Sequence, residues 1–360
     1  MNITSARLAN QRLSGTGFAR PEDVVSWLGA VQAQDYPGAK WALALRMDRA
    51  SESMIDSAFA AGTILRTHVL RPTWHFVAPA DIRWMLALSK QRVSAAMASY
   101  NRRLELDATV FRRSRRAIAR ALRGAVQLTR QELKVVLQRA GINPGSIQRL
   151  AHIVIQAELD AVICSGPARG SQSTYVLFEE RVPASRPLAR DQALAELARR
   201  YFTSHGPAQL RDFAWWAGLT LGDARAGVAM AERDLVQETV EGKTYWLLPS
   251  TQPRSRSRAA YLLPVYDEYL IAYKDRSAAL DASRWSRIVS RNPFTAPVVV
   301  NGQVVGAWKQ AVSKGSIVVR IMPFTPLAKR DAAAIEGAVR SYGDFLGLDP
   351  ELAWRSSLHQ

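Results

Sequence analysis

Two glutamines separated by one alanine, Gln32 and Gln34 in the stretch AVQAQDYPGAKWA, are the first side chains to consider for chemistry. A carboxamide does not titrate, so neither is an obvious acid or base. Any chemistry they do is by hydrogen bonding and not by proton transfer. Val24, Leu28 and Val31 form an apolar stripe in PEDVVSWLGAVQAQ, which reads as a helix opened by Pro21. Gln32 lies four residues past Leu28, at the inward edge of that stripe. Gln34 falls about 200° further round an ideal helix, so in regular helix the two side chains diverge. Pro37 pushes Tyr36 out of the helical region and Gly38 permits a turn. At such a fraying end both amides could converge on one pocket. They could equally satisfy loose helix-end carbonyls. Spacing alone favours the second.

Other polar groups could stand beside them. In THVLRPTWHFV, residues Arg71, Thr73 and His75 share one face of an alternating strand. That face either looks into a site or at a phosphate, or is an exposed face with Trp74 and Phe76 as core. Arg66, just before this run, joins the same set. DEYLIAYKDR carries Asp267, Glu268, Asp275 and Arg276. Asp267 or Glu268 could supply a carboxylate, though an ion pair or a hydrogen-bonded strand end is favoured. The five histidines (His68, His75, His152, His205, His359) lack metal-ligand spacing, so no metal and no cofactor is expected. The single cysteine, Cys164, sits in an apolar run and reads as a buried structural thiol.

The elements that must position these groups form a loose repeat: three helices, then a short hairpin. The first copy takes SARLANQRL, PEDVVSWLGAVQAQ and ESMIDSAFAAGT as helices, two strands around Leu70-Arg71-Pro72, and a linking helix after Pro79. The second has a capping box at Thr129-Arg130-Gln131-Glu132 and a basic, Gly-rich hairpin tip. The third, residues 190–248, is clearest, with a hairpin around Glu241-Gly242. Three helices and a two-stranded wing make a winged helix. After residue 253 the chain reads as strands AYLLPVYDEYLIAY, PVVVNGQVVGAWKQ and SIVVRIMPF with a closing helix. The expected class is therefore α+β: winged helices over 1–100, 101–187 and 188–252, then a β-rich domain over 253–360.

Lys plus Arg number 48 against 31 acids, a net charge of +17. Such an excess, mostly arginine, points to a polyanion, and double-stranded DNA above an anionic membrane. Candidate phosphate contacts are Arg102-Arg103, Arg112-Arg113 with Arg115-Arg116, and Arg254, Arg256 and Arg258. The N-terminus lacks the apolar core of a signal peptide and no apolar run is long enough to span a bilayer. A cytoplasmic location is expected.

VQAQDYPGAKWALALR, LRPTWHFVAPADIRWML and LLPVYDEYLIAYKDR together resemble the AlkZ-like family of bacterial winged-helix DNA glycosylases. In outline the likeness covers nearly the whole chain. The family signature is Gln, an apolar residue, then Gln, which here is Gln32, Ala33 and Gln34. The related YcaQ-like branch has Asp in the last place, so this chain resembles the AlkZ branch. The resemblance implies three tandem winged helices and a β-rich domain cradling DNA. It implies monofunctional removal of alkylated purines and, in some members, unhooking of interstrand crosslinks. It also implies a β-hairpin that reaches the minor groove, which maps by type onto Val299 to Trp308, with Asn301 and Gly302 at its tip.

Two amides suit that chemistry. A ring-alkylated purine is cationic and already a good leaving group. Carboxamide oxygens can orient the attacking water while their dipoles tolerate the positive sugar. Activity is thus expected on cationic lesions in a monomer–DNA complex, with little on uracil. The rival reading is a non-catalytic winged-helix regulator, which would dimerise on two half-sites and prefer a sequence rather than a lesion.

Overall fold

The computed structural model describes residues 1–185, 187–249, 259–289, 295–313 and 315–354. It is a mixed α and β structure. The chain begins with α1 (Ile3–Asn10), α2 (Pro21–Leu28), β1 (Ala30–Gln32), α3 (Tyr36–Ala44), α4 (Glu52–Ala61), β2 (Leu65–His68), β3 (Trp74–Val77) and the long α5 (Ile82–Arg103).

Here the structure corrects the reading of the two glutamines as a helix end. Helix α2 stops at Leu28, because Gly29 adopts φ 80° and turns the chain straight into β1. Gln32 is therefore a strand residue. Tyr36-Pro37-Gly38 is a start and not a stop: Asp35 is the N-cap of α3 and Pro37 lies in its first turn, where its missing N–H costs nothing. The apolar stripe that seemed to extend to Val31 is really strand alternation. Ala30 joins one core and Val31 and Ala33 another. Gln32 shares the side of Ala30.

Next come α6 (Ala108–Ala121), β4 (Leu128–Thr129), α7 (Arg130–Arg139), α8 (Ile147–Leu159), β5 (Ile163–Arg169), β6 (Gln172–Leu177) and α9 (Phe178–Arg181). The Thr129–Glu132 capping box forms, with Thr129 N–H donating to Glu132 Oε2 at 2.7 Å and Glu132 N–H to Thr129 Oγ1 at 3.3 Å. This stretch has a core of its own around Ile118, Leu133, Leu150 and Ile153. Then follow α10 (Arg190–His205), α11 (Leu210–Ala217), α12 (Leu221–Met230), β7 (Val236–Val240) and β8 (Lys243–Leu247).

The last stretch holds β9 (Ala260–Leu262), α13 (Glu268–Ile271), α14 (Ala282–Val289), β10 (Ala296–Val300), β11 (Gln303–Ser313), β12 (Ser316–Pro323), α15 (Lys329–Leu346) and β13 (Asp349–Trp354). Its sheet runs β13-β12-β11-β10-β9, with only the β12–β13 pair parallel, after the α15 crossover. The expected long strand AYLLPVYDEYLIAY is only three residues of strand. Asp267 then caps α13 by accepting the Tyr269 N–H.

Three cores cross these stretches, and two of them bear on β1. One joins Leu65, Val77 and Met85 to Tyr201, Phe202 and Trp216, and on to Ala272 and Tyr273. The other joins α2 and α3 to β10, β11, β12 and α15. Trp41 anchors the second, stacked edge-on to Tyr342 at 4.8 Å and donating to the Leu262 carbonyl. Strand β1 lies between the two. Among the described residues no helix is long and apolar enough to cross a membrane.

Candidate active site

The β1–β3–β2 sheet aligns Gln32 with His75, and His75 with Thr67. Gln32 is 8% exposed, whereas Gln34, two residues on, lies at the surface. Gln32 is held from two sides. Its backbone N–H donates to Glu268 Oε1 at 2.8 Å, and its side-chain Oε1 accepts from Arg71 Nη2 at 3.0 Å. Gln34 Oε1 receives the Trp74 N–H at 3.4 Å. Between them the Ala33 carbonyl takes both Arg66 Nε, at 3.0 Å, and Arg66 Nη2, at 2.8 Å. The Arg66 guanidinium lies 4.3 Å over the Trp74 ring.

Of the expected residues, the structure brings Gln32, Gln34, Arg66, Arg71 and His75 to this strand end. Arg71 and Thr73 lie in the turn before β3 and not on its alternating face. Arg71 instead lies 3.4 Å from His75 Nε2. Arg66 is spent on a backbone carbonyl and an indole. Asn301 and Gly302 form the β10–β11 turn, and Gly302 is buried, with Tyr269 Oη donating to its carbonyl at 2.8 Å. That turn packs on α1 and α13. In the same sheet the β11–β12 hairpin is paired out to Ser313 and Ser316, with Val312 64% exposed.

Glu268 and Asp267 have different jobs. Asp267 makes a two-pronged ion pair with Arg46, both side chains fully buried. Glu268 takes Gln32 N–H on one oxygen; on the other it takes Trp216 Nε1 at 2.9 Å and faces His205 Nε2 at 3.5 Å. Burial alone would raise its carboxyl. His205, Arg71 and the Gln32 N–H outweigh that and hold it below the ordinary range. With its oxygens so engaged, Glu268 is a strut and not a free base. Asp275 collects Arg211, Lys243 and Gln209. Burial pushes the Cys164 thiol up to about 12, as suits an inert buried sulfur.

Sequence reasoning missed Glu158 as a neighbour of the site. It sits among Leu150, Ile153 and Val154 on the buried face of α8, binds His68 Nδ1, and accepts Trp74 Nε1 at 3.3 Å. A lone acid on an apolar stripe is a signal for a buried partner. Part of the arginine excess is structural. Arg113 donates to the Ala140 carbonyl and Arg115 pairs with Asp160, while Arg254, Arg256 and Arg258 lie outside the described residues. Among the described residues no His, Cys, Asp or Glu group could hold a metal ion.

His75 is neutral. Burial, then the Arg71 charge, lowers it from 6.5 to about 3. Between those values the unfolded chain binds a proton that the native state does not. Stability is therefore present above 6.5 and is lost as pH falls towards 3. A His75→Gln variant should show a shallower fall in melting temperature across that window than the parent, measured as Tm against pH.

The family model described as DNA glycosylase AlkZ-like matches residues 25–345. The interstrand DNA cross-link repair glycosylase of Streptomyces sahachiroi is 26% identical over 321 residues, covering 84% of this chain and 85% of that protein. The solved structure of Streptomyces sahachiroi DNA glycosylase AlkZ has a similar fold, with a TM-score of 0.79 over 99% of this chain and 98% of that one, at 24% identity.

Proposed function

This chain belongs to the AlkZ-like family of DNA glycosylases, and from that premise we propose that it removes cationic, ring-alkylated purines from double-stranded DNA, with Gln32 and Gln34 positioning the water. The observation that carries this reading is the pair itself: one glutamine buried and clamped, the next exposed two residues on. The C1′–N bond breaks and its electrons neutralise the purine cation. The water oxygen bonds to C1′, and its proton passes to solvent. The lesion supplies the leaving-group activation, so two amides suffice. The same bond anchors a crosslink made on a purine ring nitrogen, and its hydrolysis would unhook one strand.

We read the three helix-and-hairpin stretches as winged helices over 1–100, 101–187 and 188–252, with a β-rich domain over 253–360. The chain would act as a monomer around one lesion. The groove-reaching hairpin moves from β10–β11 to β11–β12, because Gly302 is buried while Lys309 to Val312 are exposed. Lys309 and Arg320 face each other across that hairpin, both exposed. Replacing both with alanine should lower the slope of log K against log salt by roughly 1.8, at about 0.9 per phosphate contact, measured on undamaged duplex.

The reading is tested with duplex DNA carrying one cationic ring-alkylated guanine, beside uracil-containing and undamaged controls. Free-base release from the first alone supports it. Release no faster than the spontaneous rate, with tight binding to an undamaged sequence, would overturn it in favour of a DNA-binding regulator.

A further inference from the structure

We infer that Arg71 is the positioning residue of Gln32, fixing which end of its carboxamide faces the reacting sugar. This rests on the water-positioning reading above. The oxygen and nitrogen ends of a glutamine amide are nearly alike in shape, so an unconstrained side chain presents either. A guanidinium has donors only, so the atom 3.0 Å from Arg71 Nη2 is the Gln32 oxygen. The backbone of Gln32 is fixed independently by Glu268. With its oxygen turned to Arg71, Gln32 offers its NH2 outward as a donor. Gln34, whose own oxygen meets only the distant Trp74 N–H among the described residues, supplies the acceptor. The two glutamines are then not equivalent. Water receives a hydrogen bond from Gln32 and gives one to Gln34, which leaves a lone pair for C1′.

Several features hold Arg71 to this task and away from a phosphate. His75 Nδ1 faces the Thr73 carbonyl at 2.9 Å. A carbonyl only accepts, so the proton is on Nδ1 and Nε2 offers its lone pair to Arg71. Among the described residues Arg71 Nε is buried with no partner, as is Thr73 Oγ1, which is not how a surface arginine reaching for DNA is built. The turn that aims Arg71 is itself pinned. Leu70 is buried at φ 63°, a costly conformation for leucine. Gly218 backs it so closely that a Cβ there would come 2.1 Å from the Leu70 carbonyl oxygen.

The test measures single-turnover base release at saturating lesion DNA, and affinity for the same duplex, in Arg71→Ala and Arg71→Met. The methionine keeps the packing of the stem should the alanine variant fold poorly. The expected result is a rate loss of about 10- to 100-fold at unchanged affinity. Millimolar guanidinium should restore part of the rate in Arg71→Ala, against a sodium chloride control of equal ionic strength, and should not help the parent. Unchanged release in both variants would overturn the inference, as would loss of affinity with the rate intact, the mark of a phosphate contact. A rate loss that guanidinium rescues in neither variant would reduce Arg71 to scaffold. Absence of release from the parent protein would remove the glycosylase reading itself, a separate failure.

Discussion

Gln34→Ala should slow single-turnover release of a cationic base by about 10²–10³-fold, the loss that follows removal of one preorganised polar group in other active sites. Gln34 is exposed and accepts one long hydrogen bond, so its removal should change stability by less than about 0.5 kcal/mol. Affinity for undamaged duplex should not move. Gln32→Ala is expected to lose as much rate but to be a less clean variant. It leaves Arg71 Nη2 without the amide oxygen it binds, at a cost of about 1–3 kcal/mol for an unsatisfied buried donor. The double variant should lose little beyond either single one, because one water cannot be half positioned and groups acting as a unit are not additive. Additive losses would sink the shared-water model, and full activity in Gln34→Ala would move the chemistry elsewhere. Free-base release by chromatography, with alkali-sensitive strand cleavage as a second reading, measures all three.

The candidate residues were legible as residue types, and their local setting was less so. The QAQ stretch could be picked out by type, yet its neighbours Val24, Leu28 and Val31 mimic a helical stripe. Only Gly29, with its positive φ, breaks the helix, and a three-residue strand is too short to show a period. Hairpins with strong turn residues were readable, since Asn301-Gly302 and Glu241-Gly242 both occupy turns with positive φ. Where a turn points is another matter. Nothing near Asn301 reveals that Thr4 and Tyr269, hundreds and tens of residues away, cover Gly302. Strand β13 was missed because it pairs in parallel with β12 only after α15 brings it back, and Pro350 lies within it. Glu268 illustrates the same limit. Its type announced a possible site role, but its two donors, the Gln32 N–H and Trp216 Nε1, and the His205 ring that faces it meet only in the packed core.

Asp267→Ala should cost about 3–5 kcal/mol of stability, the largest effect expected of any single change here, because it strands a buried guanidinium. Arg46 donates to both Asp267 oxygens at 2.9 Å, to the Ala42 carbonyl at 2.8 Å and to Gln11 Oε1 at 2.9 Å, with no exposed surface on either partner of the pair. Removing the acid leaves the charge where water cannot reach it. Replacing both partners with apolar residues of similar size, as in Asp267→Leu with Arg46→Met, should recover most of the loss, since the desolvation penalty disappears with the pair. Urea unfolding of the three proteins, followed by tryptophan fluorescence, decides this. A double variant no better than Asp267→Ala would mean that the cost lies in the lost α13 cap and not in the orphaned charge. The two neighbours also separate by readout. Asp267 anchors the start of α13, so its loss should lower stability first, and base release only as far as Glu268 loosens behind it. Glu268 touches the Gln32 backbone directly, so Glu268→Gln should slow release out of proportion to any change in unfolding. The Asp267-Glu268 dipeptide thus carries a fully buried ion pair on one residue and, on the next, the carboxylate that holds the Gln32 backbone.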